Sequence, residues 1–141
     1  MTKAEATRIW TTIDAKLNAI EADARHGGVS AVATGSFLDQ VELYMAQQLE
    51  ANNFTEDEVD KLDSITVVAP GCDNGTLQLR VTLTLVKDNY VKATGQVDHA
   101  DPSVGKTLHF LESFIRSGGA WKESDLQNLD NPGPSQTPQV V

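Results

Sequence analysis

The densest group of chemically versatile side chains is Asp98-His99-Ala100-Asp101, an imidazole with a carboxylate beside it and another two residues on. A carboxylate–histidine pair can act as a general base or contribute metal ligands. The plainer reading is a solvated end of a hairpin. His109 and Tyr44 are further candidates, because each falls in a segment that could face a pocket. Against them stands the common case of a polar side chain that is merely hydrogen-bonded in place. Ala100–Thr107 fits a relaxed phosphate-loop pattern, with alanine at the first glycine position. That chemistry needs a buried parallel strand before the loop and a helix after it. The preceding segment is polar, so no nucleotide site is expected. Cys72 is the single cysteine, which rules out an intrachain disulfide, and in its turn-rich setting it reads as a bystander. No Gly-x-Ser-x-Gly, Cys-x-x-Cys or His-Glu-x-x-His pattern occurs, and neither a cofactor nor a metal site is expected.

These residues need a scaffold, and Leu77–Leu85 is the stretch around which one can be built. Leu77, Leu79, Val81, Leu83 and Leu85 alternate with Gln78, Arg80, Thr82 and Thr84, the period of a strand with one buried face. Lys87-Asp88-Asn89 offers turn chemistry, and alternation resumes over 90–97, which predicts an antiparallel hairpin. Helices must cover the leucine face. Residues 2–25 carry Ile9, Ile13, Leu17, Ile20 and Ala24 at helical spacing, start with the capping-box pair Thr2 and Glu5, and stop at Gly27-Gly28. A second helix is expected from a Ser36 cap to Asn52-Asn53, with Phe37, Leu38, Val41, Tyr44, Met45 and Leu49 inward. Thr55 and Glu58 repeat the capping pattern and predict a short third helix through about Leu62. Ile65–Ala69 is a short strand candidate. Thr107–Arg116 reads as a strand, although Leu108, Leu111 and Ile115 would also suit a helix. A last strand follows at Ala120–Ser124. The expected organisation is one α+β domain over 1–128 and a proline-rich, disordered tail over 129–141.

Composition narrows the function. The net charge is −9, with eleven Lys and Arg among twenty acids, which leaves no basic face for nucleic acid or an anionic membrane. No apolar run approaches the ~20 residues that span a bilayer. The N-terminal residues lack the apolar core of a signal peptide, so a cytoplasmic protein is expected. Asn53-Phe54-Thr55 and Asn74-Gly75-Thr76 match the glycosylation pattern, a match common by chance.

From Gly95-Gln96-Val97 through Phe110-Leu111-Glu112-Ser113-Phe114-Ile115 to Trp121-Lys122-Glu123-Ser124-Asp125-Leu126, the chain resembles the end of nuclear transport factor 2-like domains. There a hairpin precedes a long strand with spaced phenylalanines, a glycine turn and a last strand opening with tryptophan. Helices that precede all the strands look more like the cystatin-like relatives of that group. The resemblance implies a cone-shaped α+β roll, with N-terminal helices packed on a curved antiparallel sheet around a pocket. Some relatives transfer protons with Asp or His at pocket-lining strand positions and polarise a carbonyl with Tyr. Others bind ligands or dimerise as scaffolds, so the fold does not decide the activity. The reading adopted is a non-catalytic binding or scaffold domain for a protein partner or small apolar ligand, with Tyr44, Phe110, Phe114 and Trp121 lining the pocket. A small enzyme doing acid–base chemistry with His109, His99, Asp98 or Tyr44 is the alternative. A homodimer is expected through the polar face of the central strand, at Arg80, Thr82 and Thr84.

Overall fold

The structure is a computed structural model that describes residues 1–71 and 75–131. Cys72, Asn74 and the tail from Pro132 lie outside the described residues. Helix α1 (Lys3–Ala22) starts at the capping box foreseen for it: Glu5 N–H donates to Thr2 Oγ1 at 3.1 Å and Thr2 N–H to Glu5 Oε2 at 2.9 Å. A 3-10 turn (Val29–Ala31) leads to α2 (Gly35–Tyr44), which runs on as a π-helical turn (Met45–Leu49) and a 3-10 turn (Glu50–Asn52). Asn53 ends this run in the left-handed conformation, with φ 55°. Thr34, not Ser36, occupies the cap position of α2. The Ser36 hydroxyl instead donates to Asp125 Oδ1 and Ser124 O of the last strand.

Five strands follow: β1 (Phe54–Gly71), β2 (Thr76–Lys92), β3 (Val97–Ala100), β4 (Thr107–Ser117) and β5 (Ala120–Asn128). They form one antiparallel sheet in the order β1-β2-β4-β5, with β3 paired to the end of β2. Two N-terminal helices against this curved, unclosed sheet make an α+β fold. The strand reading of Thr107–Arg116 holds, as does the leucine face of the central strand, where Leu77, Leu79, Val81, Leu83 and Leu85 are all buried.

Two expectations fail. The third helix does not form: Thr55–Leu62 is the first half of β1, paired with β2 from Val91 to Leu83. A capping-box pattern signals a helix only where an apolar stripe follows at 3.6 spacing. Here Phe54, Glu56, Glu58, Asp60 and Leu62 alternate instead. Nor does the chain turn at Lys87-Asp88-Asn89. β2 continues to Lys92, because Asp57 on β1 takes Lys87 in a 2.6 Å ion pair and Asp88 is wholly buried. The turn comes after Lys92, where Gly95 takes φ 90°.

Bulges set which side chains face inward. Val59 pairs with Lys87 but Asp60 with Leu85, so Val86 is an extra residue in β2. It shifts the pleat by one position, and Asp88 and Tyr90 follow Leu85 inward where Lys87 and Asn89 would have pointed. Asp63 does the same on β1, changing the inward set from Glu58, Asp60 and Leu62 to Ile65 and Val67. The tail is anchored at its root. Leu129 N–H donates to His109 O, and the Asp130 carboxylate accepts from His109 N–H at 3.0 Å and lies 2.9 Å from its Nδ1.

Phe114, 1% exposed at the centre of the core, tests this packing. Phe114→Ala should cost about 3–5 kcal/mol in urea denaturation, whereas Val86→Ala at the exposed bulge should stay within ~0.5 kcal/mol of the parent.

Candidate functional site

The buried face is divided by polarity. On α1 the side chains turned to the sheet begin apolar with Ala6, Trp10 and Ile13 and end polar with Asp14, Asn18 and Glu21, each set at helical spacing. On β1 the order is reversed, with Glu56, Glu58 and Asp60 preceding Leu62, Ile65 and Val67. The antiparallel pairing of β1 with β2 then sets Glu58 directly opposite Asp88 and Glu56 opposite Tyr90. The polar ends of helix and sheet therefore meet.

Between them lies a half-enclosed cavity of about 60 Å³. Its lining includes six carboxylates, Asp14, Glu21, Glu58, Asp60, Glu112 and Glu123, with Trp10, Asn18, Phe110 and several aliphatic side chains, and no Lys, Arg or His. Carboxylate oxygens of Asp14, Glu58 and Asp60 lie within 4.8 Å of one another, and so do those of Glu21, Glu56 and Glu58. Both triads share Glu58, and each could hold a cation through oxygen ligands. Few donors serve these acids. The Asn18 amide bridges Asp14 and Asp60 at 3.3 Å each, and Trp10 Nε1–H donates to Glu112 Oε2 at 3.0 Å. Glu21, 3% exposed, makes no hydrogen bond or ion pair with any described residue. One oxygen each of Glu58 and Glu123 is buried without a partner.

Burial and mutual repulsion raise the pKa values. Asp14 is pushed up to about 9, first by burial and then by the charge of Asp60. Glu21 and Glu58 lie well above the usual carboxylate range, first by burial and then by a neighbouring acid, Asp88 for Glu21 and Glu21 for Glu58. Glu123 is raised by burial and by the neighbouring Glu112. Behind the cavity, burial raises Asp88 to about 9 and Glu56 to about 7. A hydrogen-bonded relay runs outward from Glu56. Tyr44 donates to it at 2.6 Å, the Tyr44 and Tyr90 hydroxyls are 2.8 Å apart, and Tyr90 donates to Asp101 at 3.1 Å. Three contacts with two phenolic hydrogens leave a place for one more proton, which Glu56 carries when it is protonated.

The candidates named from sequence are distributed around this site. Phe110 lines the cavity, Tyr44 stands behind it on Glu56, and Phe114 is core below it. Trp121 lines a separate surface groove with Arg8, Ile9 and Ile13 on the other side of α1. His99 is half-exposed, bound to Asp98 at 2.6 Å and stacked on Tyr90 with ring centroids 4.7 Å apart. His109 is half-exposed and tied to Asp130. None of His99, His109 and Asp98 lines the cavity. Asp101–Lys106 joins β3 to β4 in a wholly antiparallel sheet, so the phosphate-loop setting is absent. Arg80 is exposed on the outer face of β2, and Thr84 is bonded there to Asp63 at 2.6 Å.

The fold has counterparts among solved structures. The intermembrane space region of the chloroplast protein ARC6 superposes with a TM-score of 0.62 at 16% identity, over 92% of this chain and 97% of that one. Aln2 from a Streptomyces species does so with a TM-score of 0.55 at 14% identity, over 92% and 95% respectively. At such identities the likeness is one of fold alone. No protein-family model and no curated protein sequence matches the chain. Among the described residues no helix is long and apolar enough to cross a membrane.

The raised carboxyls fix the sign of the pH dependence. An acid whose folded pKa exceeds its unfolded value keeps a proton that the unfolded chain releases. Its contribution is complete below the unfolded pKa and is lost as pH rises through the folded one. For Glu56, Asp14 and Asp88 that loss runs up through about 7 to about 9. The exposed Asp23, held down to about 2 by Arg25, acts in the opposite sense but is screened by solvent. In chelator-treated buffer the melting temperature should therefore fall steadily from about pH 5 to about pH 9. Asp14→Asn should flatten the profile and add about 1–2 kcal/mol near the alkaline end.

Proposed function

We propose that the chain is a nuclear transport factor 2-like, non-catalytic binding domain whose cavity beneath α1 takes a small, positively charged ligand. The observation that carries this reading is the lining: six carboxylates and no basic side chain around one half-enclosed space. An ionised carboxylate out of water is costly unless paired, and a ligand cation supplies the pairing that the protein lacks. Size supports the same class. Pockets for drug-sized apolar ligands run to roughly 300–1,000 Å³, whereas a cavity of about 60 Å³ suits a few waters or a small polar group. A small apolar ligand is thus disfavoured on both size and charge.

One observation favours the alternative of acid–base catalysis. Asp14, with its pKa raised to about 9, faces the cavity as a proton donor would. Such chemistry would run through the cavity carboxyls and not through His99, His109 or Asp98.

Thermal melts of the chelator-treated protein decide between a charged and a neutral ligand. Ethylenediamine, a cation at neutral pH, should raise the melting temperature saturably, and ethylene glycol, its uncharged counterpart, should not. Glu21→Gln should reduce the shift. Equal responses to both compounds would remove the reading, and so would no response to either when metal cations give none as well. The proposed homodimer face, the outer side of β2 around Arg80, Thr82 and Thr84, is tested separately by light scattering. Arg80→Glu should convert a dimer to a folded monomer, and a monomeric parent at tens of micromolar would dismiss that interface.

A further inference from the structure

We infer that the α1–β1 side of the cavity is a calcium-class divalent cation site, with Asp14, Glu58 and Asp60 as its central oxygen ligands and Glu21 completing the shell. This rests on reading the cavity as a pocket for positive charge and names the cation. The ligand set points to a hard ion. Every polar side chain on this side ends in oxygen apart from the Asn18 amide, and no imidazole or thiolate is present to favour zinc or copper. Calcium accepts six to eight oxygens from carboxylates and water in variable geometry, whereas magnesium keeps most of its own water and uses one or two carboxylates. Three carboxylates whose oxygens fall within 4.8 Å of one another can converge on one ion. A fourth stands beside them, and space of about 60 Å³ leaves room for coordinated water.

Mutual proximity of acids would not by itself define a site. The second observation is Glu21, which is more than nine-tenths buried at 3% exposure, lines the cavity and has no hydrogen-bond donor among the described residues. Glu58 adds an orphaned buried oxygen from the opposite wall. The other end of the cavity differs. Glu112 has the Trp10 indole as donor and pairs with Glu123, one oxygen of which is buried without a partner, so that end offers two carboxyls and no converging triad among the described residues. The converging carboxylate triads found among the described residues both lie where α1 crosses the start of β1. Asn18, holding both Asp14 and Asp60, sets the spacing of two ligands and is a positioning residue.

Trp10 lines the cavity and is placed to act as an antenna for a bound lanthanide. The full chain, stripped with chelator, is titrated with Tb3+ while the indole is excited, then with Ca2+ to displace it. Melting temperature is followed in parallel with Ca2+ and Mg2+. Expected are saturable sensitised emission, competition by Ca2+, a rise in melting temperature with Ca2+ that exceeds that with Mg2+, and at least about tenfold weaker binding in Glu58→Gln and Asp60→Asn. Trp10→Phe should dim the emission and leave the Ca2+-induced melting shift in place. Asp39→Asn, on the exposed side of α2, should bind as the parent does. Circular dichroism separates a variant that binds poorly from one that has not folded. Binding that survives both Glu58→Gln and Asp60→Asn in folded protein would place the ion on the acidic surface and overturn the inference. Absence of any Ca2+ or Tb3+ response would overturn it as well. If ethylenediamine still shifts the melt in that case, the cavity remains a cation pocket and only the metal assignment falls. If neither acts, both fall.

Discussion

Carboxylates facing an apolar sheet are the constraint on which the rest of the structure turns. Eight acids, Asp14, Glu21, Glu56, Glu58, Asp60, Asp88, Glu112 and Glu123, are gathered beneath or beside α1 in a chain whose core is otherwise leucine, valine and phenylalanine. Leaving each ionised out of water would cost several kcal/mol apiece, a sum comparable with the whole stability of a domain of this size. The fold survives because few of them need be ionised together. Protons remove part of the charge, and the Trp10 indole, the Asn18 amide and the Tyr44 hydroxyl stabilise part of what remains. The apolar end, from Ala6 and Trp10 across to Ile65, Leu77 and Phe114, supplies the burial that offsets the remainder.

The segregation has a geometric origin. A helix and a strand crossing face to face bring one pair of ends together, so a polar C-terminal half of α1 needs a polar N-terminal half of β1. The bulges at Val86 and Asp63 make that possible with only a local break in the pairing of the strands. Each shifts the pleat by one residue at the border between acidic and apolar zones, and together they let a long ribbon change its buried chemistry partway along. At Ser124, between Asp125 paired with Ser113 and Glu123 paired with Phe114, a further shift turns Glu123 inward. The connector at Val32–Thr34 then grips that residue through its backbone, with Glu123 N–H donating to Val32 O at 2.8 Å and Thr34 N–H to Glu123 O at 2.9 Å.

This arrangement explains which parts were legible in the sequence. The leucine alternation of β2, the capping box of α1 and the phenylalanine spacing of β4 each agree with their final environment, and each is read correctly from local pattern. β1 was not, since a strand whose inward positions are Glu56, Glu58 and Asp60 inverts the rule that apolar residues point in. Its Thr55–Glu58 spacing then imitated a helix start. The buried position of Asp88 was hidden for a related reason. Lys87-Asp88-Asn89 has the composition of a turn, and only pairing with β1 shows that the chain passes straight through. The site itself could not be assembled from spacing, because its acids come from α1, β1, β4 and β5 and no two elements are adjacent in a motif. The one available signal was the conflict within β1, a strongly alternating segment with charge on the wrong parity. Functional or strained sites are where such local rules are expected to fail.

The same acids can be neutralised by protons or by a cation, and the two solutions place different demands on the surroundings. Proton sharing needs carboxyls in close pairs with an additional donor nearby, as Glu112 has in Glu123 and Trp10. Cation binding needs three or more oxygens that converge with donors too few to satisfy them all. Glu58 meets that second condition twice over, as the shared member of both triads and the bearer of an unpartnered oxygen. Were the cluster merely a tolerated burden on stability, Gln or Leu at Glu21 or Glu58 would relieve it without disturbing the pleat. An ionised acid with no partner is costly in the empty domain, and either a proton or a cation removes that cost.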